Sequence, residues 1–382
     1  NSSDSEEARF IIGTILEELR IGVAAGVVRD ALAKLFNIDV EEIEKSYNLT
    51  TDYGEVAELL KEHGAKGLEK VSLKPGIPIK SMLSVLSEDV EEAFEALGKP
   101  AQFEYKLDGF RVQIHKDKDI KIFTRNLENV TKQFPDIVKY VKENIKAKNF
   151  ILDGEAVAYD VKTKKHLPFQ KISQRIKRKY DIYDMVKKFP VELNLFDVVY
   201  CNGRSLINDK LIKRREILEA ITKQSKGKIV LTKKLITEDV KKASKFFKEA
   251  LEDGNEGVMI KNINSEYVSG RYVNGWMKLK NILEPLDLVV IKAEYGNGKR
   301  AKWITSYTVA CKSGNELLEV GKVSTGVKEK GEDLTYNEMT KMLKPLIIYE
   351  KGKEITVKPK IIIEVGYEEI QKSPSYSSGY AL

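Results

Sequence analysis

Two proline breaks, Lys74-Pro75-Gly76-Ile77-Pro78 and Glu284-Pro285, cut this chain into three stretches with different periodicities. At 382 residues the chain is also too long for one ordinary core, so two or three domains are predicted. Before the first break the period is helical. Residues 8–36 read as helix, with Ile11, Ile12, Ile15, Leu16 and Leu19 on one stripe and a second helix running from about Ala24 to Phe36. Thr51 to His63 reads as another, with Val56, Leu59 and Leu60 on one face.

Between the breaks strands alternate with helices. Phe103 to His115, Phe150 to Tyr159, Val191 to Tyr200, Ile229 to Lys234, Gly257 to Asn262 and Trp276 to Lys280 read as strands. Thr237 to Leu251 is the clearest helix, with Thr237 as cap and Glu238 and Asp239 at its positive end. After the second break, strands over Leu286 to Glu294, Trp303 to Lys312, Glu316 to Ser324 and Lys360 to Tyr367 surround one helix, Leu334 to Leu343. That pattern predicts a small barrel such as an OB-fold. The expectation is multidomain: an all-α segment over 1–75, an α/β domain over 76–283 and a β-barrel over 284–382.

Charge is uneven along these stretches. Residues 1–75 hold 9 Lys and Arg against 15 Asp and Glu, a net of −6, whereas the whole chain is +7, leaving +13 on the remainder. A basic body suits a polyanionic partner. No apolar run approaches the roughly 20 residues of a membrane span, and the polar, acidic start is no secretory signal, so a cytoplasmic protein is expected. Cys201 and Cys311 are too few for a disulfide framework or a four-cysteine zinc site and read as core residues.

The richest stretch is Glu104-Tyr105-Lys106-Leu107-Asp108-Gly109-Phe110-Arg111. On one strand Glu104, Lys106 and Asp108 share a face. Alone this is a common surface ion pair. Four later segments change its weight: Asp153-Gly154-Glu155, Phe196-Asp197, Glu256-Gly257 and Trp276-Met277-Lys278-Leu279-Lys280, each setting acidic, aromatic or basic residues on or beside a strand.

In order and spacing these segments resemble the covalent nucleotidyltransferases, and most closely the archaeal-type ATP-dependent DNA ligases. The resemblance runs from about residue 8 to the end. Lys106-x-Asp108-Gly109 with Arg111 is similar to the family's nucleophile motif, and Thr124-Arg125-Asn126 to its ribose-phosphate motif. The resemblance implies that Lys106 attacks the α-phosphate of ATP and holds AMP as a phosphoramidate, after losing the proton that keeps a free amine from attacking. AMP then passes to the 5′-phosphate of a nick, and the 3′-hydroxyl displaces it, in replication, repair and recombination. It further implies that Arg111, Arg125 and Arg271 contact the nucleotide, that Glu104 lies beside adenine through its backbone, and that Phe196 stacks on the base. Lys278 and Lys280 would neutralise the triphosphate. Glu155 would hold the ribose or a metal, and Glu256 would bind Mg2+, with Mn2+ as the alternative.

By the same resemblance the partners are nicked double-stranded DNA and a sliding clamp, the enzyme acts as a monomer, residues 1–75 are the last part of a longer helical DNA-binding domain, and a basic final motif follows Leu382. A chain ending there is expected to adenylylate itself poorly. Competing readings are an mRNA capping guanylyltransferase, an RNA ligase, or a non-catalytic nucleic-acid-binding protein; the helical segment before residue 75 and the intact set of motifs favour DNA ligase. The chain has no P-loop and no Gly-x-Ser-x-Gly. His63, His115 and His166 read as structural or surface residues. The basic run Lys171 to Lys179, with Arg175, Lys177 and Arg178, and the group Arg300, Lys302 and Trp303 are expected to meet DNA backbone.

Overall fold

The computed structural model describes residues 4–15, 25–176, 178, 180–271, 275–281, 284–331, 334–367 and 369–382. It divides into two compact units, Asn1–Lys280 and Asn281–Leu382. The first opens with helices α1 (Ser5–Ile15), α2 (Ala25–Phe36), α3 (Val40–Thr50) and α4 (Tyr53–His63). Of the stripe expected in the first helix, Leu16 and Leu19 lie outside the described residues, as does Ala24. The sequence pattern does not announce α3, because Ser46 and Thr50 are buried beside Ile43 where apolar residues would mark a helix. Ala33, Ile43, Val56 and Leu60 form a small core here, and Asp52 caps α4 by accepting from Gly54 N at 2.7 Å.

The rest of this unit follows in chain order as β1 (Met82–Leu83), β2 (Val85–Leu86), α5 (Val90–Leu97), β3 (Ala101–Lys106), β4 (Phe110–Lys116) and β5 (Ile120–Thr124). Next come α6 (Pro135–Asn144), β6 (Phe150–Asp160), β7 (Lys165–Leu167), α7 (Phe169–Ile176), α8 (Ile182–Lys188), β8 (Val191–Cys201), β9 (Arg204–Ser205) and α9 (Leu211–Ile221). It closes with β10 (Ile229–Leu231), β11 (Lys234–Thr237), α10 (Val240–Glu252), β12 (Gly257–Asn262), β13 (Gly270–Arg271) and β14 (Trp276–Lys280).

These strands make two principal sheets. The larger has the order β10-β8-β6-β4-β5, with β7 on β6 and β9 on β8; the smaller has the order β11-β3-β12-β14-β2. The chain crosses between them at residues 107–109 and again at 232–233. Two single strands expected from sequence, Phe103 to His115 and Ile229 to Lys234, are therefore each two strands in different sheets. An unbroken apolar alternation cannot reveal such a transfer, since each half keeps the period of two. Each sheet has its own core: Val112, Ile114, Leu152 and Leu195 in the larger, and Phe94, Phe103, Phe246 and Val258 in the smaller. A fully buried side chain such as Phe103 contributes roughly 1.5–3 kcal/mol. The cap of α10 is Asp239, which accepts from Lys241 N at 2.8 Å; Thr237 instead accepts from Asp239 N.

One face of β4 ties down the segment after the first proline break. Alternate residues Arg111, Gln113 and His115 share that face. Arg111 Nη1 donates to Met82 O at 2.6 Å. Gln113 receives Ile79 N at 3.1 Å and donates to Ile79 O at 2.7 Å. His115 Nδ1 accepts from Gly76 N at 3.1 Å, which leaves Nε2–H to donate to Gln113 Oε1 at 3.3 Å. Burial, with Lys121 nearby, pushes His115 down to about 3, so the ring is neutral. His166 is partnered as well, at 2.8 Å from Glu192.

The second unit holds β15 (Leu286–Tyr295), β16 (Ile304–Ser313), β17 (Glu316–Val323), α11 (Tyr336–Leu343), β18 (Ile347–Lys351), β19 (Glu354–Val357), β20 (Ile362–Val365), β21 (Gln371–Lys372) and β22 (Tyr380–Ala381). One edge of β15 pairs first with β20 and then with β19, while the other pairs with β16 across two register shifts. A capping box starts α11: Thr335 Oγ1 accepts from Glu338 N and Glu338 accepts from Thr335 N. Among the described residues no helix is long and apolar enough to cross a membrane.

Candidate active site

The transfer between sheets sets the geometry of the site. Lys106 is the last residue of β3, and Arg111 is the second of β4, so one short connection links the two sheets through these side chains. Asp108 lies in the connection, not on the strand, and accepts from Phe169 N at 3.1 Å. A Cβ on Gly109 would stand 2.5 Å from Ala156 O, so only glycine lets the chain pass so close to β6.

In the smaller sheet Lys106, Gly257 and Lys280 are register partners across β3, β12 and β14. Gly257 leaves the middle of that row empty, and Glu256 beside it reaches both lysines. Lys106 Nζ donates to Glu256 Oε2 at 2.6 Å, and Lys280 Nζ lies 3.2 Å from the same oxygen. Gly257 is required twice over: its φ is +145°, and a Cβ would sit 2.1 Å from Leu279 O. The next row on the same face is Glu104, Met259 and Lys278.

In the larger sheet Arg111 lies opposite Glu155 on β6, yet its guanidinium turns to Asp153. Nε meets Asp153 Oδ1 at 3.1 Å and Nη2 meets Oδ2 at 2.6 Å. The Tyr267 hydroxyl donates to Asp153 Oδ2 at 2.9 Å and accepts from Met82 N at 3.2 Å. Burial works against the Arg111 charge, and Asp153 more than offsets it, so the guanidinium stays ionised. Glu155 differs. Burial pushes its carboxyl up to about 8, against the pull of Lys106 and Arg111 and with Glu256 and Asp153 adding to the rise. A carboxyl in that state gains most from an incoming cation.

Other expected residues divide clearly. Phe196 is half-buried, edge-on to Trp276 at 5.9 Å, with the guanidinium of Arg111 5.4 Å from its centroid. Arg125 is exposed, one residue past the Val112–Thr124 pair and thus alongside Arg111. Arg271 pairs its backbone with Leu83. The Glu104 side chain is not beside Lys106 in function: it is buried at 1% exposure with Lys261 at 2.5 Å, Gln102 at 2.6 Å and Arg215 at 3.3 Å. Burial lowers Lys261, and Glu104 opposes that. Asp197 likewise forks onto buried Arg214 at 2.8 and 2.9 Å.

One expectation about DNA contacts is overturned. Arg175 is 1% exposed, forked onto Asp136 at 2.7 and 2.9 Å and packed on Phe134, so it holds α7 to α6 and cannot meet a duplex. Lys171 is exposed, Arg178 is paired with Asp181 at 3.3 Å, and Lys177 and Lys179 lie outside the described residues. Sequence reasoning missed Tyr267 and Arg215; it noted Lys261 only as the amine that ends its strand. Tyr267 sits in the connection after β12, where no periodicity singles it out.

Known proteins place this arrangement. The model of the ATP dependent DNA ligase domain matches residues 81–280, and that of the ATP dependent DNA ligase C terminal region matches 300–379. A DNA ligase of Nanoarchaeum equitans is 50% identical over 99% of this chain, which covers 68% of that protein. The DNA ligase of Archaeoglobus fulgidus is 44% identical over 98% of this chain and 66% of its own length. This chain thus spans about two thirds of the length of these curated relatives. The solved structure Pmar-Lig_PreS3 shares the fold at 21% identity and a TM-score of 0.59, covering 83% of this chain and 68% of that one. With two ligase family models in sequence, and relatives of this identity along nearly its whole length, the chain belongs to the ATP-dependent DNA ligases.

Proposed function

We propose that Lys106 is the nucleophile of nick sealing and carries AMP between ATP and DNA. The observation that carries this reading is the row Lys106–Gly257–Lys280, with Glu256 held between the two amines. Lys106 Nζ gives up its proton to solvent and attacks the α-phosphorus of ATP; the bond to the bridging oxygen breaks and pyrophosphate leaves. A new P–N bond now holds AMP. A 5′-phosphate oxygen of a nick then attacks the phosphorus of the lysyl-AMP, and the P–N bond breaks as the amine takes up a proton; the 3′-hydroxyl oxygen attacks the 5′-phosphorus, gives its proton to solvent, and AMP leaves as the strand closes.

The remaining residues bind and orient. Lys278 and Lys280 offset the charge that builds on phosphate oxygens. Arg111, locked by Asp153, and Arg125 beside it contact sugar and phosphate, with Arg271 as a further nucleotide contact. Phe196 offers its ring to adenine, and Glu104 its backbone. Glu155 and Glu256 supply two hard oxygen ligands, which suits Mg2+ or Mn2+ bound jointly with phosphate; such an ion would offset phosphate charge.

The same reading assigns residues 1–75 to the C-terminal part of a helical DNA-binding domain, 76–283 to adenylation and 284–382 to an OB-fold. The six-stranded antiparallel sheet around β15, with one capped helix among the described residues, supports the last assignment. Monomeric action on nicked duplex DNA and a sliding clamp as partner rest on the family resemblance alone.

The test is mass spectrometry of the purified protein after incubation with ATP or GTP. AMP on the peptide holding Lys106, absent in Lys106→Ala and not replaced by GMP, is the expected result. AMP on another residue, or nick sealing by Lys106→Ala, overturns the assignment.

A further inference from the structure

We propose that a basic cleft at the far end of the larger sheet binds backbone phosphates of duplex DNA to one side of the nick. The cleft encloses about 700 Å³ and is lined by Lys116, Lys146, Lys148, Asn149 and Asn202, with Ala147 and Gly203 and no carboxylate.

Its polar groups are prearranged as donors. Asn149 Oδ1 accepts from Gly203 N at 2.8 Å, and Asn202 Oδ1 accepts from Lys148 N at 2.8 Å. With both carbonyl oxygens committed to backbone amides, what each side chain can offer the cleft is its NH2 group. Asn202 N also donates to Asn149 O at 2.9 Å, fixing the two loops to each other. The Lys116 ammonium donates to Ala147 O at 3.2 Å and lies 5.8 Å from the Phe150 centroid, which holds its charge at the rim. Three ammonium groups and two amide donors, with no acid among them, match phosphate oxygens.

Position favours nucleic acid over an acidic protein. On three neighbouring strands a residue of the Lys106 site lies five positions from the strand end that borders the cleft. On β4 the pair is Arg111 and Lys116; on β6, Glu155 and Phe150; on β8, Phe196 and Cys201. Each span of five residues covers about 16 Å. Phosphates follow one another about every 3.4 Å of axis along each strand of a duplex. Five residues is an odd step, so Arg111 and Lys116 point to opposite faces of β4, and the duplex meets the cleft at the strand end, roughly five base pairs of axis from the nick.

This inference rests on the reading of Lys106 as the nick-sealing residue, so binding and chemistry are measured separately. Lys146 and Lys148 are both exposed, so Lys146→Glu with Lys148→Glu leaves the core untouched. DNA affinity is followed by anisotropy against salt, using hairpin-capped nicked duplexes with arms of about 15 base pairs, or with both arms cut to about 3. The double variant should lose about tenfold or more in affinity for the long-armed duplex, and its log–log salt slope should fall by about 2. It should match wild type on the short-armed duplex, and AMP attachment to Lys106 should be unchanged. Equal affinity and slope on long arms, or an equal loss on short arms, overturns the cleft assignment. Loss of binding to an acidic protein with none to DNA would overturn it in favour of that partner. Failure of wild type to attach AMP would instead sink the functional reading, while the binding arms still decide the cleft.

Discussion

The Tyr267 hydroxyl donates to Asp153 Oδ2, the same oxygen that receives Arg111 Nη2, so one phenol fixes the carboxylate that aims the arginine. Tyr267→Phe removes that donor and also leaves Met82 N without this acceptor. A loss of about 1–3 kcal/mol in unfolding free energy is expected. KM for ATP in the AMP-attachment step should rise more than kcat falls. Unchanged KM with a lowered melting temperature would confine the tyrosine to structure.

Glu155 gives a pH-dependent test. Its folded value is about 8 against an ordinary 4.5, so the fold binds this proton more tightly than the unfolded chain does. Its contribution is fully present below about 4.5 and is lost as pH rises through about 8. Glu155→Gln, which resembles the protonated form, should be more stable than wild type at pH 8. The advantage should shrink toward pH 5. Melting temperatures across that range check it; a constant offset would contradict the assigned protonation.

Arg175 and Lys171 should behave oppositely although the sequence sets them in one basic run. Arg175→Ala strands buried Asp136 and should cost about 3–5 kcal/mol in denaturant unfolding. Lys171→Ala, at an exposed position, should change stability by less than about 0.5 kcal/mol. The ordering of the two midpoints decides the point.

Gly257→Ala combines a forbidden φ with a clash against Leu279 O. Roughly 2–5 kcal/mol of destabilisation is expected. Because Glu256 is the next residue, AMP attachment should fall in whatever fraction remains folded. Circular dichroism melting and mass spectrometry on the same sample separate the two effects.

Most of the longer strands were legible because their apolar alternation survives in the sequence, and the later segments could be ordered behind Lys106, whereas Ile120–Thr124, Ile347–Lys351 and Glu354–Val357 were not read. What the alternation hid was sheet membership. Phe103 to His115 looks continuous, although the chain changes sheets at Leu107 to Gly109. The fates of polar residues were equally hidden. Arg175 and Lys171 are indistinguishable by composition, and only the packing of α7 on α6 separates them. Tyr267 could not be found because its partners, Asp153, Arg111 and Met82, are remote in the chain.

The contacts from β4 to Gly76, Ile79 and Met82 bear on where this protein can be cut. The matched ligase domain begins at residue 81, an inviting place to start an isolated fragment. A fragment begun there would remove the Gly76 amide and both backbone groups of Ile79. His115 would lose the amide its Nδ1 accepts from and Gln113 both backbone groups of Ile79, leaving only their mutual bond and the bond from Gln113 to Ser81. The domain's working boundary in engineering thus lies upstream of Gly76, and soluble yield of fragments starting at 70 and at 81 would measure what the five-residue break contributes to folding.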